Sequence, residues 1–586
     1  MSTSRPKRWR VRQPDPDRIR LLADAVRISP VIAALLVNRR LVEPEDVQRF
    51  LSPRLQNLID PRKMAGVEEA VDLILHALTH DEKICVYGDY DVDGMTSAST
   101  LFLFLKECGH DVHVFLPNRF TDGYGLNTDR IRDLVAEGTQ LFISVDCGIT
   151  AYEPIETARA LGAKVIVVDH HQLPQGPLPD ANAIINPLRP DCEYPFKSMC
   201  AAGLTFHLVL ALRARMRTAG WFLNRHEPDV RHLLDIVAIG TVADVVPLQG
   251  INRILVTNGL ARIKESPHPG VRALLAVAAP NRRLTASTLG FQIGPRLNAA
   301  GRLSTPMKGF ELLTTDDIDV AQRIAKDVDD ENKRRRGVQD EIEKQAIEQA
   351  VNELGSDSDA YVLWSEHWHP GVAGIVASRV VEKFHRPAAL IAVQDGVAKG
   401  SIRSIRGFDA VEGLRRCSDV LKQFGGHAHA AGVTLDPEKL PDFRKAFSNA
   451  AKSMTPSDML EPRLDLDAEV IFSQIDWRLI DAIETLAPFG AGNREPRFFC
   501  RSVRVKDART VGADGAHLRM VLDQDGHRFP AIAFGRGPDA PTLGQLIDIA
   551  FRPEVNEYKG QISLQLRIID FRDEGVEVSP IPDSMD

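Results

Sequence analysis

Through the first half of the chain, short apolar runs alternate with stretches whose apolar positions recur every three or four residues. KICVYG (83–88), HVFLP (113–117), LFISV (141–145) and KVIVV (164–168) are short and rich in apolar residues, and read as strands buried on both faces. Residues 96–108, 128–137 and 152–161 carry helical spacing between them. Strands alternating with helices predict a parallel sheet with helices on both faces. Residues 1–75 read as mainly helical and proline-punctuated. From 315 to 354, Ile318, Ala321, Ile324, Val328, Val338, Ile342 and Val351 recur amid charge without a proline, and Thr315 with Asp316 and Asp317 marks a helix start. One long helix joining two lobes fits this pattern; a surface helix of a single lobe has the same spacing. After about residue 460, FFCRSVRVKDART, AHLRMVLDQDG, RFPAIAFG, LIDIAFRPEVNEYKG and QISLQLRIIDFR alternate as five strands, which suggests a small barrel.

Size and composition agree with several soluble domains. A chain of 586 residues exceeds one hydrophobic core. It is 44% hydrophobic and 26% charged, ordinary for globular proteins. The longest apolar run near the N-terminus, 28–37, is too short for a membrane span and contains Pro30. The basic start MSTSRPKRWRVRQPD lacks the apolar stretch of a signal peptide, so a cytoplasmic protein without membrane contact is expected. Seven scattered cysteines without a CxxC argue against a disulfide framework or a zinc cluster. A net charge of −8 does not advertise nucleic acid, so a nucleic-acid partner would need local basic patches. Residues 333–336, Arg403 with Arg406, and the series Arg494, Arg497, Arg501, Arg504 and Lys506 are candidates; singly, each fits a solvated surface.

The polar residues that change the picture follow the strands. Asp89, Asp91 and Asp93 come after the first, Asp146 after LFISV, and Asp169, His170 and His171 after KVIVV; Asp244 closes the run LLDIVAIGTVAD. These are carboxyl ends of strands, where open α/β sheets bind ligands. Each alone has a plain alternative: a turn, a buried and an exposed imidazole, a helix cap. Together, carboxylates and imidazoles at one edge call for a cation, and an oxygen-rich set suits Mg²⁺ or Mn²⁺.

In order, GDYDVDG, VDCG, VVDHH and GTVADVVPL resemble the four motifs of the DHH phosphoesterase superfamily. WHPGVAGIVASR, KGSIRS and FGGHAHAAG resemble its DHHA1-type accessory domain, and GPRLNAAGRL resembles the RecJ exonuclease branch. The resemblance implies an N-terminal mainly helical segment (1–75), a DHH catalytic domain (76–310), a connecting helix (311–355), a DHHA1-type α/β domain (356–457) and an OB-fold-like barrel (458–586). It implies two metals held by Asp91, Asp93, Asp146, His170 and Asp244, with Asp146 bridging and Asp89 and His171 in support. It places Arg119 and Tyr124 at a channel mouth and Asn298 in the substrate site. His369 and His427 would lie near the metals, and Arg296, Arg379, Ser401 and Arg403 would hold a terminal 5′ phosphate, with Ser404 beside them. Tyr87 stands where many relatives carry a histidine, which implies one nitrogen ligand fewer. Phe534, Phe551 and Tyr558 are candidate stacking residues of the barrel, though core positions suit each of them better.

The expected activity is 5′–3′ hydrolysis of single-stranded DNA to 5′-mononucleotides in repair and recombination, with a single-strand-binding protein and a helicase as implied partners. Three alternatives remain at this point: an enzyme for short RNA or small phosphate esters, a non-enzymatic replication-fork scaffold, and an unrelated hydrolase or binding module. The barrel and N-terminal segment disfavour the first, and nearly whole metal motifs the second.

Overall fold

A computed structural model describes residues 6–118, 122–123, 125–280, 282–303, 305–558 and 560–581. Two compact units make up the chain. One comprises Glu45–Lys333 and Leu486–Glu495; the other comprises Met1–Pro44, Arg334–Thr485 and Pro496–Asp586.

The first unit is built on a five-stranded sheet in the order His113–Phe115, Ile84–Gly88, Leu141–Val145, Lys164–Val168, Ala183–Ile185, with every pairing parallel. The strands are predominantly apolar because both faces are covered. Val86, Ile143 and Val168 point into one core with the helices Val92–Glu107, Ala201–Thr218 and Leu234–Ala243. Tyr87, Phe142 and Val167 point into the other with Thr128–Ala136 and Tyr152–Ala160. The three helices of the first face pack closely at Gly240, where a Cβ would fall 2.1 Å from Thr96 Oγ1 and 2.8 Å from Ala202 Cβ. The chain reverses its direction across the sheet between Ile84–Gly88 and Leu141–Val145, which opens a crevice at their carboxyl ends.

In the second unit, the sheet order is Gln423–His427, Ala430–Leu435, Val397–Arg403, Ala388–Gln394, Tyr361–Ser365; only the last pair is parallel. The barrel runs Phe498–Val511, His517–Gln524, His527–Ala533, Gln561–Asp573, Leu546–Tyr558 and closes on Phe498–Val511. All five expected barrel strands are present. Phe551 lies in the barrel interior against Phe498, so it is core and not a stacking surface. Phe534 is 54% exposed; the Tyr558 side chain lies outside the described residues.

The expected long helix is Ile318–Gln349, and it continues into a wider π turn at Ala350–Leu354. The N-terminal region is mostly helical, with Pro16–Val26, Pro30–Val37, Pro44–Leu51 and Val67–Thr79, the first three of which begin on a proline that needs no amide partner there. It begins, however, with a strand. Arg8–Val11 is sandwiched in parallel between Arg463–Leu466 and Val578–Pro580. Trp9 is buried and donates to Asp570 Oδ2 at 2.8 Å, and Arg10 pairs with Asp465 at 2.7 Å. Among the described residues no helix is long and apolar enough to cross a membrane.

Candidate metal centre

Turns at the carboxyl ends of the strands bring the acids together. Asp91 caps the helix Val92–Glu107, its Oδ1 accepting from the amides of Asp93 (2.9 Å) and Gly94 (3.1 Å). Gly94 allows this turn, since a Cβ there would lie 2.5 Å from the Asp89 backbone. Asp93, fully buried, is fixed by the first amides of the helix Ala201–Thr218, which donate at 2.7 and 2.9 Å. A helix N-terminus favours its negative charge. Asp146 ends the strand Leu141–Val145 with φ 64°, a conformation disfavoured for residues other than glycine, which turns its side chain out of the sheet direction. Asp244 is the C-cap of Leu234–Ala243.

Around His170 the carboxylates converge. Its Nε2 lies 3.2 Å from Asp146, 3.7 Å from Asp93 and 3.7 Å from Asp244. Three sets of ligand atoms lie within 4.8 Å of one another: Asp93, His170 and Asp244; Asp89, Asp91 and Asp146; Asp146, His170 and His171. His170 Nε2, Asp89 Oδ1, Asp146 Oδ1 and Asp244 Oδ2 are buried without a hydrogen-bond partner among the described residues. Buried polar atoms are rarely left so. Burial and the neighbouring Asp93 and Asp91 charges push the Asp244 carboxyl up to about 9. Burial and Asp91 raise Asp89 to about 7. Burial, then the charges of Asp93, Asp91, Asp89 and Asp244, push Asp146 well above the usual carboxylate range. His170 is shifted the other way, since burial disfavours its imidazolium. Orphaned oxygens, a neutral imidazole and mutually repelling carboxylates fit divalent cations, which would satisfy all three at once.

His171 is held differently. Burial lowers its pKa, but the hydrogen bond to Asp169 and the charges of Asp169, Asp91 and Asp93 prevail and raise it. Asp169 accepts from His171 Nδ1 at 2.7 Å, from the His171 amide at 3.0 Å and from the Ile149 amide at 2.9 Å. Tyr87 is buried, donates to the Gly125 carbonyl at 3.2 Å and belongs to none of the three ligand sets.

In the other unit, a second polar site gathers at the start of the helix Pro370–Phe384. His369 is its N-cap, Nδ1 accepting from Gly371 at 3.0 Å. A Cβ on Gly374 would lie 2.7 Å from Arg403 Nη2 and 3.4 Å from Ser401 Oγ, so the missing side chain makes room for both. Arg403 is half-buried and burial lowers its pKa; Nη1 donates to the Ile402 carbonyl at 2.8 Å. Through Ala430, exposed His427 is in register with Arg403 two strands away. Ser404 instead donates to the carbonyls of Phe408 (2.5 Å) and Ile405 (3.1 Å).

The DHH family, N-terminal domain, matches residues 83–241, the DHHA1 domain 356–453 and the RecJ OB domain 466–570. Single-stranded-DNA-specific exonuclease RecJ of Dickeya dadantii is 38% identical over 551 residues, 90% of this chain and 95% of that protein. RecJ of Bacillus subtilis is 36% identical over 568 residues, 96% of this chain and 70% of that protein. The chain belongs to the RecJ family. The crystal structure of RecJ from Thermus thermophilus in complex with Mn²⁺ superposes with a TM-score of 0.83 at 32% identity, over 98% of this chain and 80% of that one.

Other residues expected from the RecJ resemblance are placed as follows. GPRLNAAGRL forms the helix Gly294–Leu303, and Gly301 lets it approach the Tyr90 carbonyl, where a Cβ would be 2.8 Å away. Asn298 is half-buried on that helix. Arg296 is buried and engaged: Nε and Nη2 each lie 2.8 Å from Asp329, and Nη1 donates to the Gln292 carbonyl. Arg379 pairs with Glu382 at 2.7 Å. Arg119 and Tyr124 lie outside the described residues. Sequence reasoning assigned no role to two features of this RecJ-family chain. Asp169, flanking the histidine pair, is the anchor of His171. The glycine-rich segment Leu486–Glu495 braces the loop after Asp244: Leu248 donates to the Ala491 carbonyl at 2.8 Å, Gln249 to Gly492 at 2.7 Å and Arg253 to Leu486 at 3.0 Å. The FGAGN pattern was its one available signal.

Proposed function

We propose that the chain is an exonuclease specific for single-stranded DNA, that it works from the 5′ end and releases 5′-mononucleotides, and that it uses two divalent cations, Mn²⁺ or Mg²⁺. The observation that carries this reading is the convergence of five aspartates and His170, with four buried polar atoms among them left without partners among the described residues. Asp91, Asp93, Asp146, His170 and Asp244 would hold the cations, and Asp89 joins this donor set. When bound, such ions supply Lewis acidity that lowers the pKa of water and offsets charge on phosphoryl oxygens.

The chain's own residues do the rest. The amides of Ala201 and Ala202 lock Asp93, so one face of the site is rigid before substrate arrives. Asp169 holds His171 through Nδ1 and raises its pKa, which favours the imidazolium, the form in which Nε2 could donate to a phosphoryl or leaving oxygen. Polarity we assign to the cradle at Gly374: Arg403, Ser401 and His369 match a terminal phosphate in charge and hydrogen bonding. Arg379 would have to exchange Glu382 for phosphate to join it, and Arg296 would have to leave Asp329 before it could bind phosphate at all. The division at 75, 310, 355 and 457 follows the same functional parts. Repair and recombination are the processes that present such strands. A single-strand-binding protein and a helicase are the partners they imply. The reducing cytoplasm suits seven cysteines that are all unpaired and buried.

Metal-dependent assays with long single-stranded DNA, duplex DNA, a dinucleotide and pyrophosphate in parallel test this reading. Loss of the single strand from its 5′ end alone is the expected result; preference for dinucleotide or pyrophosphate would overturn it.

A further inference from the structure

Val245 directly follows Asp244, and nothing in the fold accounts for it. Its φ is 64° and its amide donates to the Val242 carbonyl at 3.3 Å, so it is the left-handed residue just past the end of Leu234–Ala243. Glycine or asparagine is the usual occupant of such a position, and a β-branched residue there is strained. Packing offers no return, because Val245 is 69% exposed. A strained apolar side chain held in solvent next to a candidate ligand has its benefit outside the folded chain.

A second exposed apolar residue belongs to a turn packed on the same helix end. Leu289–Ile293 form a π turn, a widened geometry that re-aims side chains and recurs at functional sites. Gly290 within it and Gly294 just after it seat it on the last turn before Asp244: a Cβ would lie 3.3 Å from Val242 Cγ1 at Gly290 and 3.5 Å from Ala243 Cβ at Gly294. Leu289 and Ile293 are buried, whereas Phe291 is 70% exposed.

We propose that Val245 and Phe291 form an apolar shelf beside Asp244 that holds the unpaired base of the nucleotide being cut, an inference that rests on the function proposed above. A phosphodiester that reaches the cluster around His170 brings its own base to within one nucleotide of Asp244. The shelf presents no hydrogen-bonding side-chain group, so it would accept the face of any base and read no sequence. In a duplex that face is already stacked on its neighbours, so the shelf favours single strands.

The test crosses enzyme variants with substrates in single-turnover cleavage by the Mn²⁺-loaded full chain. Val245→Gly and Phe291→Ala are compared with wild type on 5′-phosphorylated oligonucleotides carrying either normal or abasic nucleotides at the first 5′ positions. Val245→Gly should melt no lower than wild type, because glycine suits the backbone there, yet need more substrate for half-maximal rate. Phe291→Ala should raise that concentration about tenfold, the scale of one lost stacking contact. Both penalties should vanish on abasic substrates. Equal penalties on both substrates, or none on either, would overturn the shelf. A wild-type enzyme inert on every single strand would instead overturn the function it rests on, and the shelf with it.

Discussion

Replacing Gly374 with alanine should blunt recognition of the 5′ phosphate while strengthening the helix that carries it. The new Cβ would lie 2.7 Å from Arg403 Nη2, 3.3 Å from Cζ and 3.4 Å from Ser401 Oγ. The first contact is about 1 Å inside ordinary van der Waals separation. What it meets is the flexible tip of an arginine, so the guanidinium shifts and the backbone stays. Alanine also gains about 1 kcal/mol over glycine inside a helix, so folding is not at risk. A charge-assisted hydrogen bond is worth about 1.5–3 kcal/mol. At tenfold per 1.36 kcal/mol, complete loss lowers kcat/KM about 10- to 150-fold. Arg403→Ala should show the whole factor on 5′-phosphorylated strands, and Gly374→Ala the same preference loss up to that limit. Both should leave 5′-hydroxyl strands much less affected. The assay is kcat/KM on matched oligonucleotides with either end. Equal losses on the two ends would make Arg403 a general backbone contact. A Gly374→Ala enzyme with undiminished phosphate preference beside a crippled Arg403→Ala would refute the cradle geometry.

Asp146→Ala should abolish hydrolysis and spare strand binding, because Asp146 belongs to two of the three ligand sets; more than a few per cent residual activity in saturating Mn²⁺ would contradict this. Asp89 and Asp244, with carboxyls raised to about 7 and about 9, keep protons in the metal-free fold that the unfolded chain releases near 3.8. The metal-free protein should therefore lose stability as pH rises from about 4 through 9, and the Tm gain from Mn²⁺ should grow between about pH 6 and about pH 8.5; a gain that falls with pH would refute the sign. Phe534→Ala combined with Arg567→Ala should raise KM for long strands and weaken salt dependence with little change on short ones, since Arg567 lies over the exposed Phe534 ring at 5.3 Å; equal loss on both lengths would give the barrel a part in chemistry. Cutting the chain near 458 is a poorer test, because it also removes the brace at Leu486–Glu495.

Legibility in the sequence followed the distance between partners. LFISV and KVIVV are buried on both faces, so their pattern is local and the sheet could be read from it. Ala183–Ile185 is only three residues long and offers no period to read. RWRV at 8–11 was unreadable as a strand because its partners begin at 463 and 578. The metal-site acids were legible because they sit directly after readable strands. Their sharing was not: no local pattern signals that Asp89 groups with Asp91 and Asp146. Arginines showed the same limit. Arg403 sits in a notch cut by a glycine 29 positions earlier, at 374, while Arg296 is claimed by Asp329 from the long helix. An arginine's partner is decided by tertiary packing, and residue type alone does not disclose it.

The strand Arg8–Val11 sets the order in which the molecule can be assembled. It is synthesised before its partners: those of Trp9 and Arg10 follow 561 and 455 residues later. At about 5–20 residues per second, its edges wait on the order of a minute for Arg463–Leu466 and longer for Val578–Pro580. An early strand with unpaired edges is open to wrong pairing, which makes this interval the exposed stage of biosynthesis. Closure of that small parallel sheet then registers that both remote segments have been made and folded. Until each segment arrives, the edge of Arg8–Val11 that it will cover stays unpaired.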